Sequence, residues 1–193
     1  MKNIFSITLL LVFASCTHQV IENKSDSVSP GGTKSESLYQ LNGIWQTQND
    51  QPFVLTQLQG KKQVVAMIFT HCGYACPRIV DDMISIQKKI DEKKKNEVGF
   101  LLVSFDTERD NPKQLTSFAT EHKLNDQWVL LHGDEDLVRQ FSMLLGVNFQ
   151  RNEDGNFSHS NIITLLDKNG KILKQQEGLE GDGSEILKLI NGN

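Results

Sequence analysis

Two cysteines near the middle of the chain, Cys72 and Cys76, are the residues best suited to chemistry. They follow an apolar, β-branched run over residues 64–69, and residues 79–90 then carry apolar side chains at helical spacing. Pro77 suits the first turn of such a helix, where its missing N–H costs nothing. The pattern predicts a buried strand, a turn that carries both thiols, and an amphipathic helix.

The spacing of the two thiols is compatible with several kinds of chemistry. Thiols at the start of a helix lie near its positive dipole end, which favours the thiolate form. If Cys72 and Cys76 flank one helical turn, their Cα atoms lie roughly 6 Å apart, within the range of a disulfide. The two sulfurs can therefore form a disulfide, remain a dithiol, or bind a soft metal ion, and their spacing leaves all three open.

A stable metal site would need a third ligand, for which the five histidines are candidates. His71 adjoins Cys72, but neighbouring side chains of an extended segment point to opposite faces, so we expect His71 to point away. His159 follows a polar loop at residues 151–158 and precedes an apolar strand, and from the residues alone it is one candidate for the third ligand. The remaining histidines are expected to be solvated: His18, His122 and His132.

The remaining apolar patterns predict an α/β fold. Alternating strands and helices imply parallel pairing through right-handed crossovers, and Asp167-Lys168-Asn169-Gly170 is a strong signal for a final antiparallel hairpin. We therefore expect a thioredoxin-like fold, with a central mixed sheet flanked by helices and an N-terminal β-hairpin. The predicted strands are 44–48, 53–56, 98–105, 129–131, 161–166 and 171–175. The further helices are 111–122, 134–145 (apolar face Leu137, Phe141, Leu144 and Leu145) and 184–190.

The first 37 residues predict export and anchoring. Lys2 and the apolar run 4–13 form a signal segment that is too short to span a bilayer, which needs about 20 residues. Ala14-Ser15-Cys16 resembles the lipobox of bacterial lipoproteins, so Cys16 is the expected lipidation site; an ordinary signal peptide cut nearby is the alternative. Residues 1–15 are then a signal peptide, 16–37 a polar tether and 38–193 the folded domain. We expect a membrane-anchored, extracytoplasmic bacterial lipoprotein on the periplasmic side.

Composition narrows the possible functions. The length of 193 residues suffices for one domain with a proper core. The net charge of -4 argues against nucleic-acid binding, which requires a basic face. If Cys16 carries lipid, only Cys72 and Cys76 remain in the domain, which excludes a framework of several disulfides.

Residues 70–77, Thr-His-Cys-Gly-Tyr-Ala-Cys-Pro, resemble the T-x-C-P-x-x-C-P signature of the Sco/SenC copper chaperones. Gly73 stands where that family usually has proline, which should loosen the loop. His159-Ser160 matches the family's third copper ligand, which is a histidine followed by serine. Residues 103–112 resemble its S-x-D-P-x-R-D-T-P stretch, with Thr107 in place of proline and Asn111 in place of threonine. The resemblance covers about residues 38–190.

The resemblance implies a copper site with Cys72, Cys76 and His159 as ligands. Two thiolates suit Cu(I), and the imidazole makes Cu(II) acceptable, whereas zinc would prefer a closed set of four ligands. Asp106 would act beside these ligands as a hydrogen-bond acceptor or polarising charge. The alternative is that Asp106 belongs to a helix cap with Asp110 and Asn111. Arg109 is expected to pair with one of these carboxylates.

Two functions follow from this interpretation. The first is a membrane-tethered copper chaperone that delivers copper to the dinuclear copper centre of cytochrome c oxidase subunit II, with another copper-accepting protein as the alternative recipient. The second is an extracytoplasmic thiol–disulfide oxidoreductase, in which Cys72 attacks a partner and Cys76 resolves the mixed disulfide. A peroxide-reducing enzyme is a weaker third alternative, because the sequence does not clearly supply the arginine or the Gln–Trp pair that such enzymes use.

Overall fold

A computed structural model describes residues 37–179 and 181–192 of the chain. The predicted signal segment, Cys16, His18 and the tether up to residue 36 lie outside these residues. Within the described part of the chain, no helix combines the length and the apolar character needed to cross a membrane.

A seven-stranded mixed sheet forms the centre of the domain, in the order β2-β1-β5-β4-β3-β8-β9. The strands β3, β4 and β5 are parallel, whereas β1, β8 and β9 each run antiparallel to their neighbours. The strands of this sheet are β1 (Trp45–Thr47), β2 (Pro52–Phe53), β3 (Lys62–Ile68), β4 (Val98–Ser104), β5 (Trp128–His132), β8 (Ile162–Leu166) and β9 (Ile172–Glu177).

Helices cover the sheet, so the expected α/β, thioredoxin-like fold with a mixed sheet and an N-terminal hairpin is confirmed. The helices are α1 (Ala75–Lys89), α2 (Pro112–Glu121), α3 (Glu135–Leu145) and α4 (Ser184–Asn191). Two begin where the sequence predicts: the Asn111 side chain accepts hydrogen bonds from the first turn of α2, and Asp134 does the same for α3. Short 3-10 helices lie at Leu38–Gln40, Leu55–Leu58 and Lys95–Glu97.

The central strands are buried on both faces, as the apolar runs of β3 and β4 require. Residues 64–68 of β3 are each at most 2% exposed, and Phe100, Leu101, Leu102 and Val103 of β4 at most 1%. The parallel register of β3 and β4 runs from Lys62 opposite Val98 to Ile68 opposite Ser104. The loops at the ends of β3 and β4 therefore begin from fixed positions.

Two predictions about the elements are wrong in detail. The second arm of the N-terminal hairpin ends at Phe53, and Thr56 lies in a 3-10 helix that buries Leu55 and Leu58 in the core. On α3, Leu144 is exposed rather than part of the apolar face. The buried face of that helix instead includes Val138 and Ser142, and Leu144 lies outside it.

The expected polar loop at residues 151–158 is instead a small antiparallel hairpin. Its strands are β6 (Phe149–Arg151) and β7 (Phe157–His159), with Phe149 opposite His159 and Arg151 opposite Phe157. The connecting turn has Gly155 at φ +80°, a conformation that glycine adopts without strain. The predicted loop is therefore correct only for residues 152–156; Arg151, Phe157 and Ser158 lie in strands, and His159 ends the second strand.

Candidate metal centre

Strand polarity brings three distant segments to one edge of the sheet. The parallel strands β3 and β4 both end at this edge, and β8, which is antiparallel to β3, begins there. Cys72 follows β3, Cys76 is the second residue of α1, and His159 ends β7 three residues before β8 starts. The fold therefore places the three predicted ligands together.

The ligating atoms of Cys72, Cys76 and His159 all lie within 4.8 Å of one another. The Nε2 atom of His159 is 3.8 Å from the Sγ of Cys76. Cys76 is 0% exposed, while Cys72 is only partly buried. Neither of these two cysteines forms a disulfide, and the site has one partly accessible sulfur and one buried sulfur.

Backbone groups hold both sulfurs in place. The Sγ of Cys72 accepts a hydrogen bond from the N–H of Cys76 at 3.3 Å. This N–H lies in the first turn of α1, where backbone N–H groups have no partner within the helix. The Sγ of Cys76 accepts one from the N–H of Phe69 at 3.5 Å. The N–H of Cys72 in turn donates to the carbonyl oxygen of Phe69 at 3.3 Å, which closes the turn after β3.

The two thiols ionise very differently. A hydrogen bond from the Cys76 side chain lowers the pKa of Cys72 to about 3 against the effect of burial, and hydrogen bonds from His159 and the backbone add to the shift. The Cys72 thiolate that accepts this bond, together with burial, raises the pKa of Cys76 far above its ordinary value. The site therefore holds a thiolate at Cys72 and a thiol at Cys76.

His159 is oriented for ligation through its Nε2 atom. Its Nδ1–H donates to the carbonyl oxygen of Ser160 at 3.1 Å, which leaves Nε2 as the atom that faces the sulfurs. Burial works against protonation of this ring, but hydrogen bonds to Cys72 and Ser160 and the charge of Cys72 outweigh it and raise the pKa of His159. A metal ion would replace the proton at Nε2.

Aromatic side chains surround the imidazole of His159. Its ring centroid lies 5.1 Å from that of Phe105 and 6.0 Å from that of Phe69. Phe157 packs on both phenylalanines at 5.1 to 5.2 Å. On its other side, His159 borders an open depression that it lines with Asn148, Phe149, Gln150, Ser158 and Ser160. The imidazole is therefore held rigidly but can be reached from solvent.

Asp110 ties the cysteine-bearing turn to β4. The carboxylate is buried and accepts hydrogen bonds from the backbone N–H of Thr70 at 2.9 Å, the hydroxyl of Thr70, and the hydroxyl of Ser104 at 2.6 Å. Thr70 lies two residues before Cys72. The sequence suggested a helix-cap role for Asp110, but the cap of α2 is Asn111 alone, so that interpretation of Asp110 is wrong.

Asp106 does not contact the cysteines or His159 through any hydrogen bond of the described residues. Its buried carboxylate accepts from the Arg109 guanidinium and, at 3.5 Å, from Arg151. Arg109 also lies over the rings of Phe69 and Phe157, at 5.9 and 5.8 Å. The predicted pairing of Arg109 with an aspartate is confirmed, and the Asp106 carboxylate lies within 4.8 Å of the ligating atoms of His71 and Asp110 rather than beside the sulfurs.

The structure places His71, His122 and His132 outside the group of ligating atoms around the sulfurs, but His122 and His132 are half-buried instead of solvated. His71 is exposed, its Nδ1 lies 3.6 Å from Asp110, and it does not belong to the group of ligating atoms around the sulfurs. His122 packs against Phe118, and His132 lies 2.8 Å from the Gln46 side chain. His159 is thus the histidine that the described structure brings to the cysteines.

Comparison with known proteins identifies the family of this chain. The sequence model of SCO1/SenC matches residues 36–191. The chain belongs to the SCO1/SenC family. The SCO1 protein homolog of Bacillus subtilis (strain 168) is 30% identical over 141 residues, which cover 70% of this chain and 72% of that protein.

Solved structures of Sco proteins share the fold. A SCO1/SenC family lipoprotein from Bacillus anthracis is 27% identical, with a TM-score of 0.71 over 78% of this chain and 91% of that one. BsSco, studied for a disulfide switch and described as a member of the Sco family of cytochrome c oxidase assembly proteins, is 28% identical, with a TM-score of 0.68 over 80% and 92%. Copper-bound ScoI from Arabidopsis thaliana is 20% identical, with a TM-score of 0.69 over 77% and 93%, which shows the shared fold.

Proposed function

We propose that this chain is a membrane-tethered, extracytoplasmic copper chaperone that binds copper through Cys72, Cys76 and His159. The observation that carries the proposal is the meeting of two sulfurs and one imidazole nitrogen within 4.8 Å at an accessible edge of the sheet. This donor set suits Cu(I) through the thiolates and accepts Cu(II) through the imidazole. The copper bound to the Arabidopsis ScoI is a parallel in a protein of the same fold.

The difference between the two cysteines suits a carrier that must also release its cargo. Cys72 is partly exposed and already a thiolate, so it meets an incoming or departing copper ion first. Cys76 is buried and must lose its proton when copper binds. Transfer would proceed by ligand exchange, in which a partner's ligand reaches the ion while Cys72 still holds it.

We assign cytochrome c oxidase subunit II, at its dinuclear copper centre, as the proposed recipient. The support is family membership and the description of BsSco as belonging to a family of oxidase assembly proteins. Mixing the copper-loaded protein with a purified, copper-free subunit II fragment and measuring the rate of copper transfer tests this step. Transfer that is no faster than release of copper to a small-molecule chelator would count against it.

A titration with copper tests the binding site itself. The reduced protein should bind one copper ion per chain, and Cys72→Ser or Cys76→Ser should each abolish tight binding, because each removes one of two soft donors. His159→Ala should keep Cu(I) and lose Cu(II). His122→Ala is a matched control that removes an imidazole distant from the sulfurs, and we expect no change.

Thiol–disulfide exchange remains a second function that a specific observation favours. A partly exposed thiolate beside a buried thiol is the arrangement that an attacking and a resolving cysteine require, and a disulfide switch is known in BsSco. Thiol trapping across a series of redox buffers should show one two-electron step for Cys72 and Cys76. An oxidoreductase without a copper role would keep its exchange rate in His159→Ala and would bind copper weakly.

The anchor is proposed from the sequence, because Cys16 lies outside the described residues. The structural similarity to a Bacillus anthracis family member described as a lipoprotein supports it. Mass spectrometry of the mature protein should find a lipidated N-terminus at Cys16, and Cys16→Ser should release the protein from membranes. An unmodified N-terminus or cleavage elsewhere would overturn this part of the proposal.

A further inference from the structure

The end of the sheet opposite the cysteines carries a concentration of lysines. β3 and β4 begin at this end, where Lys62 lies opposite Val98 in the parallel register. α1 runs back from Cys76 and ends at the same place, and the segment between α1 and β4 also lies there. We call this surface the basic end and define it by Lys61, Lys62, Lys88, Lys89, Lys93 and Lys168.

Neighbouring carboxylates neutralise only part of this charge. Glu92 pairs with Lys95, while Glu97 pairs with Lys94 and, at 3.6 Å, with Lys168. No ion pair within residues 37–179 and 181–192 includes Lys61, Lys88 or Lys93, and all three side chains are exposed. Asp91, Asp126 and Asp167 also lie at this end, but its lysines still outnumber its carboxylates, although the whole chain is negative, with a net charge of -4.

The chain enters the domain at this same end. The hydroxyl of Ser37 donates to the carbonyl oxygen of Asn169, and the N–H of Leu38 donates to that of Gly170 at 2.9 Å. This turn between β8 and β9 is fixed to the start of β3, because the N–H of Gly60 donates to the carbonyl oxygen of Lys168 at 3.0 Å. The residues before Ser37 therefore join the domain beside the basic end, and Cys72 lies at the opposite end of β3.

An exposed apolar side chain lies among these lysines. Leu189 of α4 is 42% exposed, and its carbonyl oxygen accepts a hydrogen bond from the Lys62 ammonium. Lysines around an exposed leucine are a combination that suits the interface between phosphate headgroups and acyl chains.

We propose that the basic end lies against a membrane surface rich in anionic lipid headgroups, so that Cys72 and His159 face away from it. This rests on the membrane tether of the proposed function and adds an orientation to it. Lysines near an anionic bilayer are attracted within about one Debye length, roughly 10 Å at 0.1 M salt. With the tether joined at the same end, the copper site would point towards partners instead of towards lipid.

Chemical footprinting of the full chain on vesicles tests the orientation. The protein is reconstituted with phosphatidylcholine vesicles, with or without phosphatidylglycerol, and its lysines are acetylated and quantified by mass spectrometry. We expect Lys61, Lys88 and Lys93 to react several-fold more slowly when phosphatidylglycerol is present, and the protection to vanish at roughly 0.5 M salt. Lys113, at the start of α2 near the copper site, and the thiol of Cys72 should react equally on both vesicles.

Variants give the matched comparison. Replacing Lys61, Lys88 and Lys93 together by glutamine should lower the binding that depends on phosphatidylglycerol by about tenfold or more, whereas Lys113→Gln should leave it unchanged.

Equal acetylation on both vesicles, protection of Lys113 together with Cys72, or protection by inorganic phosphate alone would each overturn the inference. Failure of the anchor is a separate result: the chain would not float with phosphatidylcholine vesicles, while added phosphatidylglycerol would still recruit it through the basic end. One copper ion per chain in every lysine variant would leave the copper proposal intact.

Discussion

Cys72 and Cys76 differ in burial and protonation although they are only one helical turn apart. Because the pKa of Cys72 is lowered to about 3, its thiolate should persist throughout the range from pH 8 to pH 5. We predict that alkylation of Cys72 by iodoacetamide changes little across this range, whereas an ordinary thiol slows about tenfold per pH unit. Cys76 should react only after unfolding.

His159→Ala tests the cause of this behaviour. The variant removes one of the hydrogen bonds that lower the pKa of Cys72, so the alkylation rate should begin to fall at a higher pH than in the wild type. His71→Ala is the matched control, because that imidazole adjoins Cys72 in sequence without belonging to the sulfur group. A rate for the wild type that drops steadily from pH 8 to pH 5 would contradict the assignment of a thiolate.

The role of Asp110 could not be predicted from the sequence. The hydrogen bonds to Thr70 join residues 40 apart in the chain, and no local pattern indicates such a contact. Asp110→Asn keeps one acceptor oxygen but leaves buried donors poorly matched, so we predict a loss of about 1–3 kcal/mol of unfolding free energy. Urea denaturation measures it, with Asp81→Asn on the exposed face of α1 as the control. A change within about 0.5 kcal/mol for Asp110→Asn would show that the turn does not depend on this carboxylate.

Cys72 lies in the turn between a buried strand and a helix, and Cys76 lies in the first turn of that helix. At Gly73, where the family usually has proline, an added Cβ would meet no atom within 4 Å, and φ is not positive. Gly73→Ala should therefore stabilise the protein by about 0.4–1 kcal/mol by restricting the unfolded chain. Gly146 has the same free space but φ +66°, so Gly146→Ala should destabilise it instead. Thermal unfolding of both variants checks the pair, and equal effects would contradict this explanation.

The sequence predicted the main elements well but missed the hairpin that carries His159. Apolar runs and caps identified β3, β4 and the starts of α2 and α3, because burial and capping leave local signals. The hairpin of β6 and β7 is short and half-exposed, so its polar residues resembled a loop. Asp154-Gly155, a recognised hairpin turn signal, was the sign available. The packing of Phe69 and Phe105 against His159 depends on tertiary contacts, which no local pattern in the sequence indicates.

At the scale of the whole molecule, the candidate metal centre and the basic end lie at opposite ends of β3. One end brings Cys72, Cys76 and His159 together, and the other receives the chain from residue 37 beside the basic end. The cysteine spacing indicated a redox or metal site, but only the sheet polarity explains why a histidine 83 residues beyond Cys76 reaches it. The arrangement of the two ends could not be predicted from local patterns, because it depends on which strand ends share an edge.

The central claim is that one copper ion binds to two sulfurs and one imidazole nitrogen. X-ray absorption spectroscopy of the copper-loaded protein reports the type and number of these ligands directly. We predict two sulfur ligands and one nitrogen ligand in the wild type, loss of one sulfur in Cys72→Ser, and loss of the imidazole nitrogen alone in His159→Ala. A wild-type spectrum without two sulfurs, or one that His159→Ala leaves unchanged, would contradict the three-ligand copper site.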